Sequence, residues 1–371
     1  MSFSVANLAI DINDYEIGKI LGRGGSGIVF LAKDEKNGGR NVALKVIKNE
    51  GYWDRRQQRL FLCELCIPSY LNLPGIVKLL GFRFPFTEQQ KKDKSLKLPT
   101  FEITFPTGRK EKIDFSGTIM VTELMPHTNL EDITNDYIKN RGVSRLLNPT
   151  VRSKILFGVA ATMKRLHAAN VLHRCLEFRK IYLDENVEPR IADFGMAAFF
   201  EHDYYFVENQ TVAIKCAPIY RAPEVIMEPE ESPTEKVDVY NYAFIIYKTF
   251  TVKLEFDGKK PIRSAEQFMM NIGRGKRPKR SDSIPDQYWE LIEKCWQQKP
   301  EERPSFEQIT QWLRSDDYAI EEFGQKTDLN ALHEYWDRID PANDIAPINS
   351  NPFSMSTFTL EDGKSFKIKD R

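Results

Sequence analysis

Short runs of β-branched and aromatic residues dominate the beginning of the chain. Residues 28–30 and 42–47 are such runs, and they flank Asn37-Gly38-Gly39, a typical turn signal. This arrangement predicts a β-hairpin. The charged stretch 54–65 predicts a helix, and the apolar run 75–81 predicts a buried strand between two glycines. The first part of the chain is therefore expected to be mainly sheet with one helix.

Helical spacing replaces this pattern in the second part of the chain. Asn148 and Pro149 are a helix start signal, and Ile155 and Val159 lie on one face of the helix that follows. Residues 237–250 are apolar on nearly every side, which predicts a helix in the interior of a large domain. A sheet-rich part followed by a helical part predicts an α+β fold.

Two segments depart from these patterns. Residues 87–117 begin with a charge run, alternate apolar and polar side chains at 101–105, and turn at Pro106-Thr107-Gly108. We expect an inserted hairpin there, and it is the first candidate surface for an unidentified protein partner. The tail includes residues 341–356, which are rich in Pro, Asn and Ser and lack periodicity. We expect this C-terminal extension to be partly flexible.

Composition limits the classes of partner. Of the 371 residues, 41% are hydrophobic, which allows a large core, and 53 basic residues balance 53 acidic ones. This balance predicts no bulk attraction to nucleic acid or to an anionic membrane. The first residues lack a basic segment ahead of an apolar one, and no apolar run approaches the ~18 residues of a membrane span. We therefore expect a cytoplasmic protein.

The cysteines are an odd number spread over a long chain. That usage is typical of reduced thiols and not of a disulfide framework. Cys63 and Cys66 form a Cys-x-x-Cys pair with no second pair or histidine motif beside it, so core packing is expected for them instead of zinc binding. The cysteines are Cys63, Cys66, Cys175, Cys216 and Cys295.

A glycine motif gives the first indication of chemistry. Gly22-Arg23-Gly24-Gly25-Ser26-Gly27 matches Gly-x-Gly-x-x-Gly, in which backbone amides approach phosphates, and dinucleotide-binding folds share this pattern with kinases. A dinucleotide fold needs a helix after the third glycine, whereas residues 28–31 continue as strand. For this motif alone, a flexible glycine loop without a ligand is the alternative.

From about Tyr15 to Leu313 the order of motifs resembles the eukaryotic protein kinases. Val42-Ala43-Leu44-Lys45 is similar to the strand whose lysine meets the α- and β-phosphates of ATP. Glu64 stands where the helix glutamate of that family pairs with this lysine. Because Pro68 follows Glu64 by one helical turn, we expect the helix to kink or end there.

Residues 118–125 resemble the strand and hinge that hold adenine. Thr122 stands at the gatekeeper position, and the backbones of Glu123 and Met125 stand where the base is contacted. Asp193-Phe194-Gly195 resembles the turn whose aspartate binds magnesium. The resemblance thus implies ATP as a ligand. The nucleotide-binding residues that it implies are Leu21, Gly22, Gly24, Gly25, Ser26, Gly27, Val29, Ala43, Lys45, Glu64, Thr122, Glu123 and Met125.

Residues 172–183 align without a gap to the catalytic loop of the family, which reads His-Arg-Asp-Leu-Lys-x-x-Asn. Cys175 replaces the aspartate that deprotonates the substrate hydroxyl. Glu177 replaces the lysine near the transferred phosphoryl group, and Lys180 replaces the asparagine that binds a second metal ion. The loop has therefore changed at three functional positions.

Each replacement weakens the expected chemistry. A thiol with its ordinary pKa near ~8.5 is mostly neutral at pH 7 and is a poor base, and losing a general base costs roughly 10²–10⁴-fold in rate. Glu177 is expected to repel the γ-phosphate, and Lys180 to contact phosphate directly. Asp193 is then expected to hold one magnesium ion at most. Drift of these positions after catalysis was lost is the alternative.

Other motifs of the resemblance are structural. Glu224 and Arg303 stand where the family pairs a glutamate with an arginine to hold the activation segment. Asp238 stands where an aspartate anchors the backbone of the catalytic loop, and His173 and Phe194 are expected to pack together. These positions imply that the scaffold around the loop is intact.

Regulation and branch are indicated by weaker motifs. Tyr204, Tyr205 and Thr211 precede Glu224 and are candidate phosphorylation sites whose phosphates would pair with Arg174. More often such residues are simply solvated. Cys295-Trp296 resembles the tyrosine-kinase-like branch of the family.

These motifs predict a two-lobed α+β protein-kinase fold with an N-lobe at 15–125, a C-lobe at 126–313 and a C-terminal extension at 314–371. We expect the protein to bind ATP and to act in signalling as a pseudokinase or scaffold. One alternative is a slow transferase that moves the ATP γ-phosphate to Ser, Thr or Tyr. The other is an interaction module that binds no nucleotide.

Overall fold

A computed structural model divides the chain into two compact units. The first comprises Met1–Asn72, Val77–Met125 and Ser350–Arg371, and the second comprises Leu73–Ile76 and Pro126–Asn349. The structure describes residues 8–24, 27–47, 63–69, 71–84, 101–104, 110–113, 115–139, 145–201, 204–205, 216–228, 233–251, 256, 264–322, 324–341, 358–359 and 365–366.

The first unit is built on an antiparallel sheet. Its strands are β1 (Tyr15–Gly24), β2 (Gly27–Asp34), β3 (Arg40–Ile47), β4 (Leu79–Arg83), β5 (Phe101–Thr104), β6 (Lys110–Ile113) and β7 (Ile119–Glu123). Five of them form one sheet in the order β1-β2-β3-β7-β4. Alternate side chains of β2 and β3 enter the core, where Phe30, Val42 and Leu44 are completely buried.

The predicted hairpin joins β2 to β3. The Asp34 side chain accepts a hydrogen bond from the Asn37 N–H at 3.1 Å, and its carbonyl oxygen accepts one from the Gly39 N–H at 2.8 Å. Gly38 and Gly39 have φ values of +81° and +72°, which glycine adopts without steric cost. The turn chemistry read from the sequence is therefore the chemistry that closes this hairpin.

Residues 63–69 are helical and form α1. The helix continues through Pro68 to Ser69, whose hydroxyl donates to the Leu65 carbonyl at 2.6 Å, so the expected end at Pro68 is wrong. Pro68 has no N–H and so removes one backbone hydrogen bond, but it lies near the end of the helix, where one lost bond costs little. The rest of the predicted helix, residues 54–62, lies outside the described residues.

The strand predicted at 75–81 starts later, at Leu79. The preceding residues Leu73–Ile76 belong to the second unit instead. A Cβ at Gly75 would lie 1.8 Å from the Thr162 hydroxyl oxygen, so this part of the run packs against a helix of the second unit at a distance that glycine permits. Hydrophobicity alone does not distinguish that packing from a strand.

Strands β5 and β6 pair antiparallel within the region predicted as an inserted hairpin. The Phe101 ring meets the Phe30 ring edge-on, with centroids 4.9 Å apart, and Ile113 also packs against the sheet core. Glu102 and Lys110 form an exposed ion pair at 2.8 Å. The hairpin thus contributes apolar contacts to the first unit and presents charge on its other face.

Helices make up most of the described part of the second unit. They are α2 (Leu130–Lys139), α3 (Pro149–Ala168), α4 (Pro223–Met227), α5 (Lys236–Phe250), α6 (Ala265–Gly273), α7 (Asp286–Cys295), α8 (Phe306–Leu313) and α9 (Leu329–Ile339). The short strands of this unit are β8 (Val171–Leu172), β9 (Ile181–Leu183), β10 (Pro189–Ile191), β11 (Ala198–Glu201), β12 (Tyr204–Tyr205), β13 (Glu321–Glu322) and β14 (Gln325–Lys326). A last pair, β15 (Phe358–Thr359) and β16 (Ser365–Phe366), is assigned to the first unit.

Helices α3 and α5 form where the sequence predicts them. The Asn148 side chain accepts from the Val151 N–H at 3.0 Å, and Pro149 is the first residue of α3, which is a favourable N-terminal cap. Every residue of α5 from Val237 to Tyr247 is buried, as an apolar helix at the centre of a domain should be. The sheet-rich first unit and the helical second unit confirm the α+β class.

The described part of the predicted C-terminal extension belongs to the second unit up to residue 341. Helix α9 packs on α3, with the rings of Trp336 and Phe157 5.4 Å apart. Lys164 donates to the Asp340 carboxylate at 2.7 Å just after that helix. Among the helices that the structure describes, none is long and apolar enough to cross a membrane.

Candidate functional site

Strands β1 and β2 carry the glycine motif of the first unit. Gly22 and Gly24 end β1 and Gly27 begins β2, whereas Gly25-Ser26 lies outside the described residues. Among the described atoms, none lies within 4 Å of a Cβ built at Gly22 or Gly24, so both backbones are open to a ligand. A Cβ at Gly27 would lie 2.3 Å from the Val46 carbonyl oxygen, so the third glycine is required by packing.

One half-buried face of the sheet collects several of the predicted nucleotide-binding residues. Val29 pairs with Lys45 across β2 and β3, and Ala43 pairs with Thr122 across β3 and β7. Residues directly opposite each other on neighbouring strands point to the same side, so these four side chains share a face. Leu21 on β1 is 44% exposed.

Lys45 forms an ion pair with Glu64 of α1, as the motif order predicts. The two side chains are 18% and 14% exposed, so water screens the pair only in part. Glu64 is therefore not an ordinary exposed helix acid. The pair holds a positive charge on the same face of the sheet as Val29 and Ala43.

The end of β7 carries the residues predicted to hold the base. The Glu123 N–H donates to the Lys78 carbonyl oxygen at 3.0 Å, and the Glu123 carboxylate accepts from the Lys78 N–H at 2.8 Å. These two hydrogen bonds fix the end of β7 to the backbone at Lys78. Met125 is the last residue of the first unit in this region.

In the second unit, Asp238 anchors the catalytic loop. Its completely buried carboxylate accepts hydrogen bonds from the backbone N–H groups of His173 and Arg174 at 2.9 and 2.7 Å. The His167 ring lies 2.9 Å from the same carboxylate. Arg174 has a φ of +58°, a left-handed value that L-residues rarely adopt, so these bonds stabilise a strained turn.

Lys180 lies against the aspartate predicted to bind magnesium. Its Nζ is 3.3 Å from Asp193 Oδ2, and the lysine side chain is 8% exposed while the aspartate is 45% exposed. Burial opposes the charge on Lys180, but Asp193 and Cys175 outweigh that effect and raise the pKa of the ammonium group. The loop thus keeps a cation beside Asp193.

Cys175 is completely buried at the position of the missing base. A hydrogen bond with Cys216 lowers the pKa of the Cys175 thiol, and Lys180 lowers it further, although burial opposes both. The thiol of Cys175 therefore departs from the ordinary thiol expected from the sequence. The sequence could not indicate this because Cys216 is distant along the chain.

Glu177 departs from its expected orientation. Its side chain is buried, and its Oε2 accepts a hydrogen bond from the Ala217 N–H at 3.2 Å and lies 3.8 Å from Cys216 Sγ. The carboxylate contacts the segment that precedes α4, because that backbone N–H offers a donor in a buried place. Its expected repulsion of a γ-phosphate has no support in these contacts.

The structural motifs of the second unit are all present. The rings of His173 and Phe194 lie 5.2 Å apart. Arg303, whose side chain is completely buried, donates two hydrogen bonds of 2.7 Å to the Glu224 carboxylate. Burial and the charge of Lys180 lower the pKa of His173 to about 4, so its imidazole is neutral at pH 7.

The segment between the Asp193 turn and α4 is described in part. Tyr204–Tyr205 forms β12, and Thr211 lies outside the described residues. Arg174, the expected partner of a phosphate there, is buried and donates from Nε to the Met196 carbonyl oxygen at 2.7 Å. Sequence reasoning missed Cys216, whose signal was only its place a few residues before Glu224.

The donor set fits a nucleotide better than it fits two metal ions. Open backbone at Gly22 and Gly24 and the charge of Lys45 suit phosphates. For a metal, the loop offers the partly exposed carboxylate of Asp193, and Lys180 supplies a cation where a second ion needs an oxygen ligand. Asp193 is thus the residue of this loop that could hold a metal ion.

Comparison with known proteins identifies the fold family. The family model for the protein kinase domain matches residues 15–313. In Dictyostelium discoideum, a probable serine/threonine-protein kinase is 30% identical over 52% of this chain and 14% of its own length, and the dual specificity protein kinase splA is 27% identical over 85% and 12%. The seven transmembrane domain-containing tyrosine-protein kinase 1 of the same organism is 25% identical over 83% and 39%.

The chain spans well under half the length of these relatives. The matched region nevertheless contains the glycine motif, the Lys45–Glu64 pair, the Asp238 anchor and the Arg303–Glu224 pair. The match to the family model also confirms the two-lobed protein-kinase fold expected from the sequence. A protein kinase domain implies ATP as a ligand. The chain therefore belongs to the protein kinase family.

Proposed function

We propose that this kinase domain binds ATP, is impaired in phosphoryl transfer and acts in signalling as a pseudokinase or scaffold. One observation carries the proposal: Lys180, at the position of the metal-binding asparagine, is buried against Asp193 and hydrogen-bonded to Cys175 at the position of the base. A single cation thus engages both groups on which phosphoryl transfer would depend.

Nucleotide binding is supported by the first unit. The ion pair with Glu64 keeps Lys45 charged and oriented on the half-buried face of the sheet, and the exposed backbones of Gly22 and Gly24 leave space for phosphates. We assign Thr122, Glu123 and Met125 to the base. These three residues are the ones that the sequence motif places at the adenine base.

Impairment is supported by the acceptor that a substrate hydroxyl would meet. A general base must offer a free acceptor for the proton of the substrate hydroxyl. Cys175 is engaged by Cys216 and Lys180, and both lower its pKa. The loss expected for a missing base is roughly 10²–10⁴-fold in rate.

Lys180 also supports a changed use of metal. Its ammonium group brings permanent positive charge beside Asp193, at 3.3 Å from the carboxylate. We propose that this charge replaces one magnesium ion in neutralising phosphates, so that Asp193 holds one ion at most. Nucleotide affinity is then expected to depend weakly on magnesium.

A slow active kinase is the second candidate function. It is favoured by the intact anchors of the loop, Asp238 and the Arg303–Glu224 pair, which position a substrate segment in active members of the family. We also propose a cytoplasmic location, a tyrosine-kinase-like branch and a protein partner at residues 87–117, where Glu102 and Lys110 form an exposed charged pair.

The test is a thermal shift with ATP, with and without magnesium, beside a phosphotransfer assay with labelled ATP. The wild type should be stabilised by ATP without magnesium, Lys45→Met should not, and neither should transfer phosphate. Lys36→Met is the matched control, because Lys36 lies in the same unit and is 72% exposed. A missing shift in wild type would leave an interaction module, and transfer that Lys45→Met abolishes would establish the active kinase.

A further inference from the structure

Two cysteines far apart in the sequence meet beside the catalytic loop. The Sγ atoms of Cys175 and Cys216 and a carboxylate oxygen of Glu177 all lie within 4.8 Å of one another. All three residues are buried, and the two thiols are 0% and 4% exposed. Neither the kinase fold nor the proposed function requires this cluster.

Backbone contacts hold the two thiols in place. The Asn241 carboxamide accepts from the Leu176 N–H at 3.2 Å, next to Cys175, and donates to the carbonyl oxygen of Tyr220, close after Cys216. The Ala217 N–H donates to Glu177. The loop and the segment before α4 are therefore held together by residues that follow each of the two thiols.

The charges around the pair favour a nucleophilic sulfur. The Lys180 ammonium group is hydrogen-bonded to Cys175 and is itself buried. The hydrogen bond with Cys216 and this cation lower the pKa of Cys175, although burial and the charge of Glu177 oppose them. A thiolate beside a cation and within reach of a second thiol is the arrangement in which thiols react with oxidants.

A divalent metal is a poorer occupant for the same groups. A closed zinc site uses four ligands, whereas the described residues offer three here, Cys175, Glu177 and Cys216. Lys180 already supplies a positive charge to Cys175, and a metal ion would have to sit against it. The cluster is therefore better suited to covalent chemistry between its two sulfurs.

We propose that Cys175 and Cys216 are a dithiol that reacts with hydroperoxides and closes to a disulfide, linking the catalytic loop to the segment before α4. The sulfurs, now within 4.8 Å, must approach to about 2.05 Å for this bond. Side-chain rotation and a small backbone shift supply that approach, because both residues belong to connections between regular elements.

The reaction balances with the peroxide as the only oxidant. The Cys175 thiolate attacks one peroxide oxygen, the O–O bond breaks, and hydroxide leaves and takes the Cys216 proton to form water. The Cys216 thiolate then attacks the sulfur of the Cys175 sulfenic acid, the S–O bond breaks, and the second hydroxide is protonated from solvent. The two thiols lose two electrons, and hydrogen peroxide is reduced to two water molecules.

The chain contains its own control in Cys63 and Cys66. Both are buried, but burial raises the pKa of Cys66, and its other resolved influence is the neighbouring Cys63, which raises it further. For Cys66, the described residues therefore supply no cation like the one beside Cys175. The proposal requires the first pair to react faster than the second in the same molecule.

The experiment is peptide mapping of the folded full chain after treatment with hydrogen peroxide. Unreacted thiols are alkylated at low pH, and a tryptic digest without reductant is analysed by mass spectrometry. Cleavage at the flanking basic residues places Cys175 in peptide 175–179 and Cys216 in peptide 216–221. The expected product is these two peptides joined, formed at least tenfold faster than any link between Cys63 and Cys66.

Two further readings bear on the same proposal. Oxidation should raise the melting temperature of wild type by roughly 5 °C, because a cross-link of this span restricts the unfolded chain, and a reductant should reverse the rise. In Cys216→Ser, the Cys175 sulfenic acid should persist and react with a dione probe. Wild-type mapping needs no variant, so a folding defect in Cys216→Ser cannot decide the question.

Three results would overturn the proposal. One is wild type in which neither thiol is oxidised faster than Cys63 and Cys66. Another is a joined peptide that appears only when the chain is unfolded in urea. The third is protection of Cys175 and Cys216 from both peroxide and alkylation by zinc, lost on adding a chelator, which would make the cluster a metal site.

Discussion

Two lysines, one in each unit, form ion pairs of different origin. Lys45 pairs with Glu64, and both residues stand at their expected family positions. Lys180 pairs with Asp193, but the family has an asparagine at the position of Lys180. The first pair retains a phosphate-binding lysine, whereas the second introduces a cation into the catalytic loop.

The difference between the two ion pairs separates the residues predicted to bind the nucleotide from those predicted to transfer its phosphate. Binding needs charge and open backbone, and the first unit keeps both in Lys45 and the glycine motif. Transfer needs a base and metal ligands, and the second unit keeps Asp193 and the Asp238 anchor but has Cys175 and Lys180 at the predicted positions of the base and of a second metal ligand. This contrast between the units supports the proposed signalling role without turnover.

The largest expected effect comes from restoring the catalytic loop. Cys175→Asp combined with Lys180→Asn returns a base and a metal ligand while leaving Glu177 in its contact with Ala217. We expect phosphotransfer to rise roughly 10²–10⁴-fold over wild type, because a general base contributes about that much. Transfer of labelled phosphate to the chain itself and to Ser, Thr and Tyr peptides measures it.

The matched control for that variant is Cys175→Asn with Lys180→Asn, which has the same shape without the carboxylate. It should stay at the wild-type rate. Equal rates in the two folded double variants would mean that the altered loop is not what limits transfer, and the contrast between the units would lose its chemical meaning.

The second prediction tests whether Asp238 anchors the catalytic loop of the second unit. Asp238→Ala leaves two buried backbone N–H groups and His167 without their acceptor, and we expect a loss of about 3–5 kcal/mol in unfolding free energy. Denaturant unfolding measures it. Asp337→Ala, at a side chain 84% exposed, should change stability by less than about 0.5 kcal/mol, and a similar loss there would refute the anchor.

The third prediction concerns the pH dependence of the same loop. The pKa of His173 is lowered to about 4 in the folded chain by burial and by Lys180, against an ordinary value of 6.5. Between these values the unfolded chain binds the proton and the folded chain does not. Stability is therefore full above pH 6.5 and is lost as the pH falls towards 4, by up to about 3 kcal/mol.

Carboxylates also titrate in this window, so the measurement is a difference between variants. His173→Phe keeps a ring against Phe194 and should flatten the dependence of unfolding free energy on pH between 6.5 and 4. His333→Phe, at a side chain 45% exposed, should leave it unchanged. An equal slope in wild type and His173→Phe would contradict the prediction.

The smallest expected effect sharpens the role of Lys180 in binding. Lys180→Asn removes the cation beside Asp193, so ATP affinity without magnesium should fall about tenfold, or about 1.4 kcal/mol, and should rise more steeply when magnesium is added. Titration calorimetry with and without magnesium measures both. Lys326→Asn, at a side chain 75% exposed, is the control, and affinity that ignores Lys180→Asn would sink this part of the proposal.

Contacts between motif residues could be predicted where the family motifs themselves specify which two residues pair. Lys45 with Glu64, Arg303 with Glu224 and the cap of Asn148 all follow from residue type and position. The helix through Pro68 and the start of β4 were not, because packing outweighed local preference there.

The sequence by itself determined which side chains are present in the segment aligned to the catalytic loop, and from them it predicted that the loop differs from its family at Cys175, Glu177 and Lys180. Only the tertiary structure decided what those side chains do. Glu177 contacts Ala217 and Cys175 contacts Cys216, and each pair is about forty positions apart in the chain. Such contacts, and the pKa changes they cause, arise from burial and charge in three dimensions, which residue order does not record.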